Sequence, residues 1–381
     1  MIIGLTGKTN SGKSSFFKAA TMIDVEISDR TFVTINPNIG MAHANLNCVC
    51  QEFGMKCQPK NGLCKNGKRF VPVKLVDVAG LVPGAHEGRG LGNKFLDELR
   101  QASVMIHVVD FSGLTDAEGK PTTGYNPAND IEFVEKEIDL WFASVIQRAL
   151  AKVSKVQSRS DLINILNEQL SGLEISRQHI EQALEKFSLS DVQKFATEIR
   201  KISKPILIAA NKIDLKSSQE NLEKIKVNYK SIVPTSAEAE ITLKKAAEKD
   251  FIDYLPGEGF SIKRDLDEKQ KRALEFIKTN LLDKYGSTGV QPALNKAVFE
   301  LLDYIAVYPV ADAHKLTDKH GNVLPDVFLV PNGTTVKEFA FKVHTTLGEK
   351  FIAGIDARTK RKLSADYPLR NRDVVEIVFA K

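Results

Sequence analysis

The sequence holds no apolar run approaching the ~20 residues that a membrane-spanning helix needs. It has no low-complexity tract and no internal repeat. Its 53 basic and 48 acidic residues leave a formal charge of +5 over 381 residues. So mild an excess excludes a histone-like tail, and permits contact with RNA without requiring it. The opening residues Met1 to Thr6 have no basic flank and no cleavage-like segment, and read as a buried strand instead of a secretion signal. The expectation is a cytoplasmic chain without a membrane role. Cysteine is scarce, four in all, yet Cys48, Cys50, Cys57 and Cys64 fall in one short segment.

The length allows roughly two to three domains. Short apolar strands are expected at residues 2–6, 73–77, 105–110, 206–210 and 232–234, with helical pattern between them. Strands alternating with helices predict an α/β fold with a mostly parallel sheet, whose ligands sit at the carboxyl ends of the strands. A helical insert interrupts the alternation at about 112–203. Ile131, Val134, Ile138, Trp141, Val145 and Ala149 share one helix face, and Leu162, Leu166, Leu170 and Leu173 form a second set. A helix returning on itself, as a hairpin or coiled coil, is the expected form. This gives a first domain over 1–250, a helical linker subdomain over 251–304, broken at Pro256 to Gly259 and at Tyr285-Gly286, and a final domain over 305–381. The last has short strands, turns, a helix over 336–347 and a closing strand over 374–379.

The motifs sit at the expected strand ends. Gly7, Lys8, Thr9, Asn10, Ser11, Gly12, Lys13 and Ser14 satisfy the phosphate-loop pattern GxxxxGK(S/T). Its glycines let backbone N–H groups turn in on phosphates, so Thr9 to Ser15 are expected to line the phosphate site. Lys13 would bridge the β- and γ-phosphates, and the Ser14 hydroxyl would ligate Mg²⁺. The next helix directs its positive end at the same charge. Asp77-Val78-Ala79-Gly80 supplies a DxxG element, with Asp77 holding the magnesium through water and the Gly80 N–H at the γ-phosphate. Asn211-Lys212-Ile213-Asp214 is an intact NKxD. The Asp214 carboxylate can accept from guanine N1–H and the exocyclic amine, a donor pair that adenine lacks. Asn211 would tie this loop to the phosphate loop, and the Lys212 stem would lie on the purine face. Ser236-Ala237 would add a backbone N–H for guanine O6. The ligands expected are therefore GTP or GDP with Mg²⁺.

Together these residues resemble the Obg-related translational GTPases, and within them the archaeal YchF-like branch. The glycine-rich stretch from Asp77 to Gly92 resembles that family's switch II, and Phe32-Val33-Thr34 with Pro37-Asn38 its switch I. The stretches from Val330 to Thr335 and from Ile355 to Thr359 are similar to a TGS domain. The resemblance implies a Ras-like P-loop domain with a helical insertion and a C-terminal β-grasp TGS domain. It makes Thr34 the switch I threonine that closes over magnesium. It also implies a monomeric, GTP-hydrolysing switch that meets ribosomes or RNA through the TGS domain and the insert. Some YchF relatives carry a degraded NKxD and prefer ATP; the intact motif here argues for GTP, with an ATP-preferring YchF-type NTPase as the alternative.

Ras-like enzymes place a glutamine after DxxG to orient the attacking water. Leu81 stands there in this chain, so intrinsic hydrolysis should be slow. His86 in the same loop is one candidate to assist. Asn10, at the position where potassium-activated GTPases carry asparagine, is a candidate K⁺ ligand. An adaptor that binds RNA or ribosomes and holds nucleotide statically is the competing function. The basic residues Arg358, Lys360, Arg361, Lys362, Arg370 and Arg372 could meet phosphates or lie solvated. The cysteines, spaced C-x-C-x6-C-x6-C, leave three readings open: a structural zinc site, disulfides or free thiols.

Overall fold

A computed structural model describes residues 1–22, 39–78, 98–151 and 158–380. Among these, the chain divides into two compact units, one of residues 1–22, 39–42, 74–78, 98–151 and 158–293, the other of residues 43–73 and 294–380.

The larger sheet and its helices run in chain order through β1 (Ile2–Thr6), α1 (Lys13–Thr21), β2 (Ile39–Asn47), β3 (Leu63–Lys65), β4 (Lys68–Asp77) and β5 (Val104–Asp110), of which residues 43–73 belong to the second unit. A helical region follows: α2 (Ala128–Ala151), α3 (Arg159–Leu170), α4 (Arg177–Lys186) and α5 (Val192–Ser203). Then come β6 (Ile206–Asn211), α6 (Lys216–Ile225), β7 (Ile232–Pro234) and α7 (Ala237–Glu248). The strand order is β2-β4-β1-β5-β6-β7, and the β1–β4, β1–β5, β5–β6 and β6–β7 pairs are parallel. Every residue of β5 and β6 is buried, because helices cover both faces of a parallel sheet. This explains why those strands read as unbroken apolar runs.

The insert is four helices among the described residues, not a two-helix hairpin. Leu166, Leu170, Ile180, Phe195 and Ile199 share one core with Trp141, Phe142 and Ile146. Trp141 and Phe142 meet edge to face at 5.2 Å. Truncating Phe142 to alanine in such a core costs about 3–5 kcal/mol. Asp139 on α2 receives Arg200 Nε at 2.7 Å and Thr197 Oγ1 at 2.8 Å from α5. Apart from Ile131, which packs with Val109, Phe111 and Ile208, the two apolar sets read from the sequence are therefore faces of one bundle.

The helical stretch expected over 251–304, broken at Pro256 to Gly259, opens instead with an antiparallel hairpin, β8 (Ile252–Tyr254) and β9 (Phe260–Ile262). Pro256 to Gly259 is its turn, and α8 (Glu268–Ile277) follows, capped by Asp267.

The second unit carries a five-stranded sheet in the order β11-β10-β14-β12-β13. Its strands are β10 (Tyr304–Val310), β11 (Phe328–Pro331), β12 (Phe351–Asp356), β13 (Lys362–Leu363) and β14 (Val374–Phe379). β10 and β14 run parallel; β11 and β12 flank them antiparallel. Val336 and Phe339 of α9 (Val336–Val343) pack on this sheet, and Thr335 with Glu338 forms a capping box at its start. The helix expected over 336–347 breaks at His344, whose extended backbone ends α9 and caps α10 (Thr345–Glu349).

Candidate functional site

The phosphate loop follows β1 and opens α1. Gly12 holds φ 89°, and a Cβ there would lie 2.2 Å from Asn211 Nδ2, so glycine is required. Several helices carry side-chain caps, such as Ser236 on α7 and Ser158 on α3. The α1 N-cap, Gly12, makes none. The first-turn N–H groups of α1 are thereby left for an anion. Lys13 Nζ is hydrogen-bonded to Asp77 Oδ1 at the end of β4, both side chains under one-fifth exposed. The two motifs are thus in direct contact, and each charge is neutralised by the other.

The base loop follows β6. Asn211 donates from Nδ2 to the Ser11 carbonyl at 2.9 Å and accepts from the Ala237 N–H at 3.2 Å. One buried amide therefore joins the phosphate loop, the base loop and the start of α7. Ser236 Oγ donates to Asp214 Oδ1 at 2.7 Å, which orients the carboxylate. Gly12, Ser15, Asn211, Lys212, Asp214, Leu215, Ser236, Ala237 and Glu238 line a cleft of about 210 Å³. Lys212 does not lie loose over that cleft: its Nζ pairs with Asp110 Oδ2 at 2.8 Å. Burial pushes the Asp110 carboxyl up, but hydrogen bonds from Lys212, Ser112 and Thr115 outweigh it and hold the group below the usual range.

The sequence reading missed the support beneath the phosphate loop. Lys8 Nζ pairs with Asp130 at 2.8 Å, donates to the Thr115 and Asp116 carbonyls at 3.0 and 2.7 Å, and lies 4.2 Å from the Tyr125 ring centroid. Asn10 Nδ2 donates to the Gly119 carbonyl at 2.9 Å, which leaves Asn10 Oδ1 without a partner among the described residues. The segment 113–130 is therefore a brace for the phosphate loop. Asp110 at the carboxyl end of a buried parallel strand was the signal that could have exposed it. A second brace lies at the base loop. Glu240 on α7 accepts from Tyr254 Oη at 2.6 Å and from Thr288 Oγ1. Lys244, 3.6 Å from Glu240, donates to the Ala19 and Met22 carbonyls at the end of α1. The Ser236 N–H goes to the Thr288 carbonyl at 2.8 Å.

Other sequence candidates are placed as follows. Thr9, Ser14 and Ser15 lie on the phosphate loop and the first turn of α1, with Ser14 exposed. Thr34, Gly80, Leu81 and His86 lie outside the described residues. The four cysteine sulfurs converge. The basic stretch of the second unit is partly committed: Arg358 and Arg372 pair with Glu52, and Lys360 Nζ donates to the Ala313 and Ala357 carbonyls at 2.7 Å each. Arg361, Lys362 and Arg370 are exposed and make no ion pair among the described residues.

Three family profiles match along the chain. The 50S ribosome-binding GTPase profile covers residues 2–143, the "Obg-like GTPase YGR210-like, G4 motif-containing domain" profile residues 209–312, and the TGS domain profile residues 316–379. An uncharacterised GTP-binding protein of Methanocaldococcus jannaschii is 47% identical over 100% of this chain and 99% of its own length. A GTP-binding protein of Schizosaccharomyces pombe is 37% identical over 88% of each. The ribosome-binding ATPase YchF of Bacillus subtilis is 32% identical over 58% of this chain and 60% of its own. The crystal structure of a GTP-binding protein from Pyrococcus horikoshii superposes with a TM-score of 0.78 at 40% identity, covering all of both chains. No helix among the described residues is long and apolar enough to cross a membrane. With its phosphate and base loops in contact and a TGS sheet at its end, the chain belongs to the Obg-like, YchF-related family of P-loop GTP-binding proteins.

Proposed function

We propose that this protein is a guanine-nucleotide switch that binds GTP or GDP with Mg²⁺, hydrolyses GTP slowly and acts on the ribosome or its RNA. The carrying observation is the Asn211 bridge to Ser11, which sets Asp214 at one side of the cleft while Gly12 and Ser15 line the other. Asp214 Oδ1 already accepts from Ser236, so its remaining lone pairs face the guanine N1–H and amine. Adenine would leave the second oxygen of that half-buried carboxylate without a donor, a penalty of about 1–3 kcal/mol. Because the Ser236 and Ala237 N–H groups are engaged by Thr288 and Asn211, the donor for guanine O6 moves to the Glu238 N–H in the first turn of α7.

Lys13 would exchange Asp77 for the β- and γ-phosphates. Ser14 and Asp77 offer the hard oxygen donors that Mg²⁺ requires, and the ion would neutralise charge developing on the phosphates. Thr34 and Gly80 complete the set that closes on the γ-phosphate, and His86 is the side chain assigned to assist the water in place of a glutamine. Asn10 Oδ1 suits a K⁺ ion at the β–γ bridge, so turnover should rise modestly in K⁺ over Na⁺; equal rates in the two salts count against that ion.

Ribosome action is supported by the match to the 50S ribosome-binding profile and by the ribosome-binding relative. The exposed Arg361, Lys362 and Arg370 are the side chains expected to meet phosphates, in place of Lys360. Replacing Arg361 and Lys362 should weaken salt-dependent ribosome co-sedimentation; binding indifferent to both changes argues against this surface. The relatives named ATPases favour a second reading, an ATP-preferring NTPase. Phosphate release from GTP against ATP, with and without ribosomes and with Lys13→Ala as the blank, separates the two. Faster ATP turnover overturns the guanine assignment, and tight GTP binding with no release identifies a static adaptor.

A further inference from the structure

We propose that Cys48, Cys50, Cys57 and Cys64 form a closed tetrathiolate site for one zinc ion, which cross-links residues 48–67 into one knuckle packed against Tyr308 and Val310 of the second unit's sheet. The sulfurs come from three separate pieces of backbone. Cys48 precedes the tight helical turn Val49–Gln51 and Cys50 lies within it. Cys57 lies on the loop that follows, and Cys64 sits on β3 of the β3–β4 hairpin. The hairpin turn is Asn66-Gly67, with φ of 51° and 76°, the left-handed pair that a two-residue turn between strands needs. The Gly67 carbonyl accepts from the Cys48 N–H at 2.7 Å, which brings the first cysteine to the hairpin.

All four sulfurs lie within 4.8 Å of one another, with Cys48 to Cys57 at 3.9 Å and Cys50 to Cys64 at 3.8 Å. A tetrahedron with Zn–S bonds of ~2.3 Å has sulfur–sulfur edges of about 3.8 Å. Disulfide sulfurs stand about 2.05 Å apart, and two disulfides would give no reason for both pairs to meet at one point. Three of the cysteines are buried in a cluster with Tyr308, Val310, Leu316 and Leu324.

The surroundings carry charge that four neutral thiols would leave unanswered. Arg69, directly across the hairpin from Cys64, is fully buried. Its terminal nitrogens donate to the Leu324 and Pro325 carbonyls, its Nε has no partner, and no carboxylate among the described residues pairs with it. Tyr308, packed in the same cluster as Cys48, has a buried hydroxyl without a partner. An isolated buried cation is costly. A zinc ion with four thiolates has a formal charge of −2, which supplies a counter-charge for Arg69 and sulfur acceptors for Tyr308. Thiolates select soft metals, and four protein ligands leave no open position, which marks a structural and not a catalytic ion. A bound ion would also hold the loop after Cys57 in place for the contacts Gln58 N to Val323 O at 2.8 Å and Lys60 N to Pro325 O at 3.0 Å.

The test is elemental analysis of the full-length protein purified under reducing conditions, joined to a mercurial titration with a chromogenic chelator. One zinc per chain, released as the four thiols react, is the expected result. Replacement by Co²⁺ should give the intense visible bands of a tetrahedral thiolate site. Cys50→Ser and Cys57→Ser should each lose the metal. Should these variants fail to fold, the wild-type titration alone decides. A metal-free protein with four freely reacting thiols, a mass lower by the four thiol hydrogens, or stoichiometric iron in place of zinc each overturns the proposal.

Discussion

The nucleotide cleft and the cysteine centre handle charge in opposite ways. Around the cleft each cation has its own carboxylate: Lys13 with Asp77, Lys212 with Asp110, Lys8 with Asp130. At the cysteines, four sulfurs converge beside an arginine that has no carboxylate. A site made to be filled and emptied must be tolerable when empty, so its charges pair internally. A site that is never emptied can leave its balance to the ion it holds.

The largest test of this contrast is metal removal. Stripping zinc with a strong chelator should abolish the cooperative melting of the second unit, since structural zinc contributes on the order of 10 kcal/mol to small thiolate domains. Guanine-nucleotide affinity should stay unchanged, as read by calorimetry on the same sample. Next in size is Asp214→Asn. It should weaken GTP by about 100-fold, near 3 kcal/mol, and raise affinity for xanthosine triphosphate, whose C2 carbonyl suits an amide donor. Retained GTP preference would separate the carboxylate from base reading.

A third test concerns an ionisable group of the first unit that escapes the pairing rule by remaining neutral. His107 on β5 is held at a pKa of about 3 by burial and then by the charge of Lys8, against an ordinary 6.5. The unfolded chain takes up this proton below 6.5 and the folded chain does not. Stability is therefore intact above that pH and falls as pH drops through the interval toward 3. Between pH 7 and pH 5 the loss from this group is about 2 kcal/mol. Denaturant unfolding of His107→Gln should show a correspondingly shallower decline; an unaltered slope would exclude His107 as its source. The smallest effect belongs to Asn211→Ala, which unties the two loops. It should weaken GTP and ATP alike by about tenfold, near 1.4 kcal/mol. Loss confined to GTP would mean the amide serves the base alone.

Much of the cleft was legible because its motifs are local. Gly7 to Ser14 and Asn211 to Asp214 are short runs whose backbone demands are written in residue type, and the buried parallel strands announced themselves as apolar runs. What was hidden depends on distance along the chain. Nothing near Lys8 tells that its partner is Asp130, and Thr288 reaches Glu240 from 48 residues away. The hairpin at β8 and β9 was hidden for another reason: its strands are three residues each, too short for alternation to show. The Lys212 stem was assigned to the purine from motif chemistry, while Asp110 at the neighbouring strand end claims its ammonium group.

The link between α1 and α7 has a consequence for what the cleft can hold. Lys244 fastens the far end of α1 to the helix whose near end carries Ser236, and Asn211 fastens their near ends. The two helices thus form a caliper with both ends pinned, and its gap is fixed before any ligand arrives. Such a gauge would sort by length: a nucleoside without its phosphates, or pyrophosphate without its base, would touch one jaw only and should bind far more weakly than the whole nucleotide.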